Sequence, residues 1–389
     1  MSSVVIVAAA RTAIGTGRKG ALVDVSAETM AAAALGGAVE RSGFAPDEID
    51  DIVMAESLWG GGDVARYAAV TLGMIHTPGM AVNRHCAGSL TAVGVASGAI
   101  LAGMEKVIVA GGVNSASLMP SLLQRDVKTG EMVAWAPPTH PNTPDAPNRD
   151  MSITVGWNAA KGAGLTREEL DAWAYRSHMR AVAAIDAGHF VDEIVPLKVR
   201  NAEGAEVEFK VDEHPKRNST MEKLATLKPL HPEIEGFNIT AGNAGGVNDA
   251  AAAMVLADAE TAKAKGAAPL ARVVGWTSVG VEPARSGLSI APVVEKLLAR
   301  TGRRKEDIAL WEINEAFASV PLAACRMLGL DEETVNISGS GCSLGHPIGA
   351  TGSRMIMTLA ADLRRRGGGL GIATMCVGGG MGGALMIEV

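Results

Sequence analysis

The chain has 389 residues, room for two or three domains at about 100–200 residues each. Hydrophobic residues make up 48% and charged ones 20%, which excludes a disordered chain. The net charge of −7, from 35 Lys+Arg against 42 Asp+Glu, argues against a nucleic-acid partner. The basic triplet Arg364-Arg365-Arg366 reads as the solvated end of a helix. With 47 glycines but only 6 Trp, 2 Tyr and 5 Phe, the core must be built from Ala, Val, Ile, Leu and Met.

Val4–Ala9 is a short apolar run that reads as a strand, because no basic segment precedes it to suggest a signal peptide. Ala27–Ser42 carries a helical pattern closed by Gly43. Asp51–Ala55 reads as strand, Val64–Leu72 as helix and Met80–Asn83 as strand. A helix rich in small residues follows from Ser89 to Gly103, then a buried strand at Lys106–Ala110. Continuous Val/Ile runs alternating with helices predict a parallel sheet covered on both faces. Between Ala136 and Pro147 five prolines exclude a regular element. Thr166–Gly188 is a long amphipathic helix, with Thr166 and Glu169 in capping-box spacing. Residues 192–235 are polar, as an insertion outside the core would be.

From Ala271 the alternation returns. Strands are expected at Arg272–Trp276, Leu310–Ile313, Val335–Ile337, Gly371–Cys376 and Ala384–Glu388. Helices are expected at Ala291–Thr301, Ala316–Leu328 and Gly349–Arg366. The order resembles that of the first 120 residues, so the chain reads as two similar α/β halves with a loop-rich insertion between them. No run reaches the ~18 apolar residues of a membrane helix, so no membrane association is expected. Four scattered cysteines without Cys-x-x-Cys spacing leave neither a disulfide framework nor a zinc site to expect. A cytoplasmic protein is the expectation.

Cys86 lies at the turn between a strand and the helix that starts near Ser89. There the helix dipole and free N–H groups favour thiolate, predicting a pKa below the ~8.5 of free cysteine. A buried core cysteine is the competing reading. The run Ser338 to Pro347 opens a helix, but Leu344 occupies the third glycine's place of a dinucleotide fingerprint, and no phosphate-loop lysine follows. His346 is either a base beside a thiol or a helix-terminus histidine. Cys376 enters Val377-Gly378-Gly379-Gly380-Met381-Gly382-Gly383, more glycine than a turn needs and enough to free N–H groups for an oxyanion. Asn314, where a strand meets a helix, is an N-cap or a holder of water or oxyanion.

Together these stretches resemble the thiolase family. The matching blocks are Asn83-Arg84-His85-Cys86, Asn314-Glu315-Ala316-Phe317, Gly345-His346-Pro347-Ile348-Gly349-Ala350-Thr351-Gly352 and Cys376-Val377-Gly378-Gly379-Gly380-Met381-Gly382. Thr240 to Ala250, Arg11-Thr12 and Asp212-Glu213-His214-Pro215 also look like the family's. The resemblance implies the thiolase fold, duplicated βαβαβαββ halves in five α-β-α-β-α layers with an inserted loop domain. Residues 1–119 would form the first half, completed by about 241–269, residues 120–240 the insertion, and 270–389 the second half.

The resemblance also implies an acyltransferase handling acyl-CoA thioesters, by thiolysis of 3-ketoacyl-CoA or Claisen condensation of acetyl-CoA. Cys86 would be the acyl-carrying nucleophile, His346 its base, and Cys376 the acid–base for the α-proton. N–H groups of Cys86 and Gly378 would hold the tetrahedral intermediate, and Asn314, through a water, the enolate. Met151, Lys216, Gly245 and Phe317 match positions that contact coenzyme A or the acyl group. No metal or further cofactor is implied, and a homodimer or homotetramer is expected. The pattern departs at Cys86-Ala87-Gly88-Ser89, where the serine is displaced by one. It departs also at Gly245 for a serine, Ser177-His178 for Ser-Gln, Asp150 for a histidine, and Cys342 for an apolar residue. These leave open two alternatives: a condensing enzyme for an unusual acyl-CoA, and a carrier-like relative that binds acyl-CoA without turnover.

Overall fold

The computed structural model describes residues 3–57, 61–201 and 203–389. In the first half, strands β1 (Val4–Thr12), β2 (Asp51–Ala55), β3 (Met80–Val82), β4 (Val107–Asn114) and β5 (Asn248–Asp258) alternate with helices α1 (Ala27–Ser42), α2 (Val64–Thr71) and α3 (Gly88–Leu101). The insertion carries α4 (Arg167–Asp186), two small hairpins and short turns. The second half comprises β6 (Ala271–Gly280), α5 (Ile290–Thr301), β7 (Ile308–Ile313), α6 (Ser319–Leu328), α7 (Thr351–Arg365), β8 (Leu370–Val377) and β9 (Met381–Glu388).

The strand order is β7-β8-β9-β6-β1-β5-β4-β2-β3, so the two half-sheets are arranged in the same way about a seam. Parallel pairs β2–β3, β2–β4 and β7–β8 sit outside; antiparallel pairs lie toward the seam. Only three residue pairs, Val4–Ile6 against Ala271–Val273, join β1 to β6. Side chains alternate across each strand, which produces the layers. From β1, Val5 and Val7 face a core with α1 and α2, while Val4 and Ile6 face a second core. That second core also holds Leu90 and Val93 of α3, Met355 and Ile356 of α7, and Met375, Leu385 and Ile387 of the other half-sheet. Ile372 and Met386 face a third core, with α5, α6 and residues of the insertion. The result is five layers, α-β-α-β-α, with α3 and α7 in the middle.

The sheet is mixed where the sequence predicts a parallel one, because β1, β5, β6 and β9 pair antiparallel around the seam. Ser26 caps α1, whose end at Gly43 is left-handed (φ 74), and Thr166 and Glu169 form a capping box on α4. Val335–Ile337 is not a strand: a single bridge, Val335 to Trp311, is all that forms after the turn Glu332–Thr334. The expected Gly349–Arg366 helix begins at Thr351, and the one from Ala316 at Ser319. In both cases the preceding residues make other backbone bonds: Ala318 N–H donates to Asn243 O (2.8 Å), Gly245 N–H to Ala316 O (2.8 Å), and Ala350 N–H to Pro347 O (2.8 Å). No helix among the described residues is long and apolar enough to cross a membrane.

Candidate active site

Cys86 sits in a single turn of tight helix, His85–Ala87, that runs directly into α3. His85 is left-handed (φ 42), a conformation that costs a non-glycine residue on the order of 1–3 kcal/mol. The Ser57 hydroxyl donates to His85 O (2.7 Å) and the His85 N–H donates to Asn83 Oδ1 (2.9 Å), which together hold the turn. Gly88 is required by the approach of β2, since a Cβ there would lie 2.7 Å from Ala55 Cβ.

The Cys86 thiol does not have the depressed pKa expected from the helix N-terminus. Burial pushes it above 9.0, although the N–H groups of Gly378 and Cys86 pull it back. Desolvation outweighs the dipole because the short turn leaves the thiol in a largely apolar cleft. Cys376, at the end of β8, is 1% exposed, and burial together with the neighbouring Cys86 holds its thiol far above the ordinary range.

His346 is fixed from three sides. Its backbone N–H reaches Asn248 Oδ1 (3.1 Å) and Gly246 O (3.2 Å), and Nδ1 lies 2.8 Å from Thr351 Oγ1. The Thr351 hydroxyl donates its one proton to Pro347 O (2.8 Å), so toward His346 it can only accept. Nδ1 therefore carries the ring proton and Nε2 is free to take one. Burial, with Arg354 nearby, pushes His346 from 6.5 down to about 4, so the ring is neutral at pH 7. Asn314 is no helix cap. It is fully buried, its Nδ2 lies 3.3 Å from His346 Nε2, and its Oδ1 has no partner.

Cys86, His346, Cys376 and Gly378 line one cleft of about 270 Å³. Met151, Gly245 and Phe317 form walls of the same cleft. Met151 immediately precedes a π-helical turn, Ser152–Trp157, an irregularity common at functional sites. Gly245 donates to Ala316 O (2.8 Å), and a Cβ there would lie 2.8 Å from Glu315 O. Lys216 is exposed and does not line the cleft; its backbone N–H donates to His178 Nδ1 (3.2 Å). The altered positions are absorbed structurally. Ser177 donates to Glu315 Oε2 (2.6 Å), which also accepts the Cys342 N–H (3.0 Å), while Glu315 Oε1 takes Trp173 Nε1 (2.8 Å) and Asn336 Nδ2 (2.8 Å). Asp150 pairs with His231 (2.8 Å).

Sequence reasoning passed over Asn248 and Thr351, both inside the quoted blocks, because their roles lie in contacts across the fold. It also passed over Arg18, which lines the cleft and carries no sequence signal.

Two thiols and a neutral imidazole meeting in an apolar cleft, at the N-terminal ends of two central helices, define a site suited to nucleophilic acyl transfer. The comparisons with known proteins specify which kind. The thiolase N-terminal domain model matches residues 4–260 and the thiolase C-terminal domain model residues 267–389. Acetyl-CoA acetyltransferase of Escherichia coli (strain K12) is 40% identical over 400 residues, covering 100% of this chain and 99% of that protein. The cytosolic acetyl-CoA acetyltransferase of Mus musculus is 39% identical, covering 99% and 98%. Among solved structures, the Bacillus anthracis acetyl-CoA acetyltransferase superposes with a TM-score of 0.89 at 39% identity, covering 100% of this chain and 99% of that one. Human mitochondrial 3-ketoacyl-CoA thiolase superposes with a TM-score of 0.90 at 32% identity, with the same coverage. The chain belongs to the thiolase family.

Proposed function

We propose that the protein is an acetyl-CoA C-acyltransferase, cleaving a 3-ketoacyl-CoA with coenzyme A and running the Claisen condensation in reverse. The observation that carries this reading is the shared cleft of Cys86, His346 and Cys376. In the cleavage direction His346 Nε2 takes the Cys86 proton, and the thiolate adds to the 3-keto carbon. The N–H groups of Cys86 and Gly378 hold the resulting oxyanion, each such donor being worth about 3–4 kcal/mol. The C2–C3 bond breaks, leaving acyl-Cys86 and the enolate of acetyl-CoA. Cys376, kept protonated by its burial, gives its proton to that carbon. The Cys376 thiolate then takes the proton of the incoming CoA thiol. The CoA sulfur displaces Cys86, which recovers its proton from His346. Asn314, its Oδ1 otherwise unpartnered, holds the water that steadies the enolate oxygen. Met151, Gly245 and Phe317 flank the pantetheine and acyl groups, and Lys216 stands further out, toward the adenosine end.

The substrates in this reading are small-molecule acyl-CoA thioesters, with no metal or further cofactor, in the cytoplasm. The edge strand β3 has exposed Met80, with Tyr67 and Ile75 exposed on the neighbouring α2 and its following loop, a face suited to pairing with a second copy in a homodimer or homotetramer.

Mass spectrometry after mixing with acetyl-CoA should find acetyl on Cys86. Cys86→Ala should lose both acyl capture and turnover, and surviving thiolysis would remove the nucleophile assignment. Cys376→Ser should retain most acyl capture from acetyl-CoA yet lose condensation. Acyl capture without turnover in the unaltered protein would favour a carrier instead.

A further inference from the structure

Arg18 is the only Lys, Arg, Asp or Glu lining the catalytic cleft among the described residues. Among the described residues its guanidinium has no ion pair or hydrogen bond, and its backbone N–H donates to Ser117 Oγ (2.6 Å). By contrast, the Arg217 guanidinium is held by Asp186 (2.6 Å).

The loop that carries Arg18 is built to hold it in place. Arg18 is left-handed (φ 67), a conformation uncommon for a non-glycine residue. Ser117, which takes its N–H, donates in turn to Asp249, whose Oδ1 also accepts the N–H groups of Ala116 (2.5 Å) and Ser117 (3.0 Å). Gly17 donates to Val247 O (2.9 Å) on the cleft wall. Glu213 Oε1 accepts from Thr16 N (2.5 Å) and Ala21 N (3.1 Å), closing the other flank of the loop. Asn248 ties the loop to the chemistry, donating to Gly15 O (2.9 Å) while accepting the His346 N–H. Lys19 follows, near enough to act electrostatically on His214.

A guanidinium with all its donors unspent, carried on a pinned loop at the solvent-exposed mouth of an apolar cleft, fits one kind of occupant. It matches the paired oxygens of a carboxylate or phosphate, which its planar fork can bind through two parallel hydrogen bonds. We propose that Arg18 binds an anionic oxygen group of the substrate and so sets which acyl-CoA the cleft prefers. Resting on the thiolase reading, this leaves two sources for one chemistry: a carboxylate at the far end of the acyl chain, or the diphosphate of coenzyme A.

Thiolysis of acetoacetyl-CoA by the unaltered protein is measured first, because its absence removes the thiolase reading whatever Arg18 does. Arg18→Gln and Arg18→Lys are then compared on three thioesters. These are acetoacetyl-CoA, a 3-ketoacyl-CoA bearing a terminal carboxylate, and acetoacetyl-pantetheine, which lacks the diphosphate. If the acyl carboxylate is bound, Arg18→Gln raises KM about tenfold for the carboxylated substrate alone, and Arg18→Lys recovers part of it. If the diphosphate is bound, both CoA substrates show the rise and the pantetheine thioester does not. KM within twofold of the unaltered value on all three, or a fall in kcat common to all three, overturns the proposal.

Discussion

The imidazole of His346 owes the position of its proton to Thr351, because the threonine hydroxyl is already committed to Pro347 O. A wrong tautomer would place the proton on Nε2, the nitrogen that must receive one from Cys86. Thr351→Val should therefore lower kcat by roughly 10- to 100-fold with little change in KM, a part of the roughly 100- to 10,000-fold that a correctly held general base supplies. Thr351→Ser, which keeps the hydroxyl, should restore most of it. Steady-state kinetics on acetoacetyl-CoA check this, and a valine variant with unaltered kcat would dissociate Thr351 from the tautomer. Residues 314 and 315 show how one short segment serves two purposes. Asn314 faces the imidazole, while Glu315 is gripped by Trp173 and Ser177 of the insertion helix, so α4 fixes the loop from outside the two halves.

At the scale of elements, the site exists because α3 and α7 touch at their N-terminal ends. Ser353 N–H donates to Ser89 Oγ (3.0 Å), and a Cβ on Gly352 would lie 2.6 Å from the backbone N of Leu90. Backbone cannot move aside as a side chain can, so Gly352→Ala must spread the helices that carry Cys86 and His346 to their places. It should cost about 1–3 kcal/mol of stability and slow acyl capture at Cys86. Gly98, on the same α3, has open space where its Cβ would be. Gly98→Ala should stabilise by about 0.5–1 kcal/mol through helix propensity alone. Denaturant unfolding of the two variants separates the outcomes, and equal effects would mean that the helix contact is not tight.

For the molecule as a whole, the buried Arg11 fastens the first half to the insertion. Its guanidinium donates to both oxygens of Asp212 (2.8 and 2.9 Å), and its Nε lies 2.9 Å from Glu193 Oε2. Arg11→Met leaves two buried carboxylates without their cation and should cost about 3–5 kcal/mol, read from the urea midpoint. Acid should loosen the fold as well. His178 and His346 are each pushed from 6.5 to about 4, chiefly by burial. Between those values the unfolded chain binds protons that the folded chain refuses, so their contribution, complete above pH 6.5, is lost as pH falls toward 4. His178→Asn, which can still accept the Lys216 N–H, should flatten the fall in Tm over that range. An unchanged slope would place the acid sensitivity elsewhere.

The alternating α/β pattern, the capped helices α1 and α4, and the blocks around Cys86, Asn314, His346 and Cys376 are all legible along the chain. Hydrophobic period, caps and glycine runs are local properties that need no partner to be read. The thiol pKa was misjudged for the same reason, since the helix end is local whereas the burial that overrides it is supplied by β8 and the glycine turn. Val335–Ile337 likewise has strand composition but finds only one bridging partner. What folding alone decided is which distant groups meet: Thr351 beneath His346, Asn248 between the Arg18 loop and the imidazole, and Arg18 unpaired on the cleft wall. Such contacts are set by layer packing across hundreds of residues, and no local pattern encodes them.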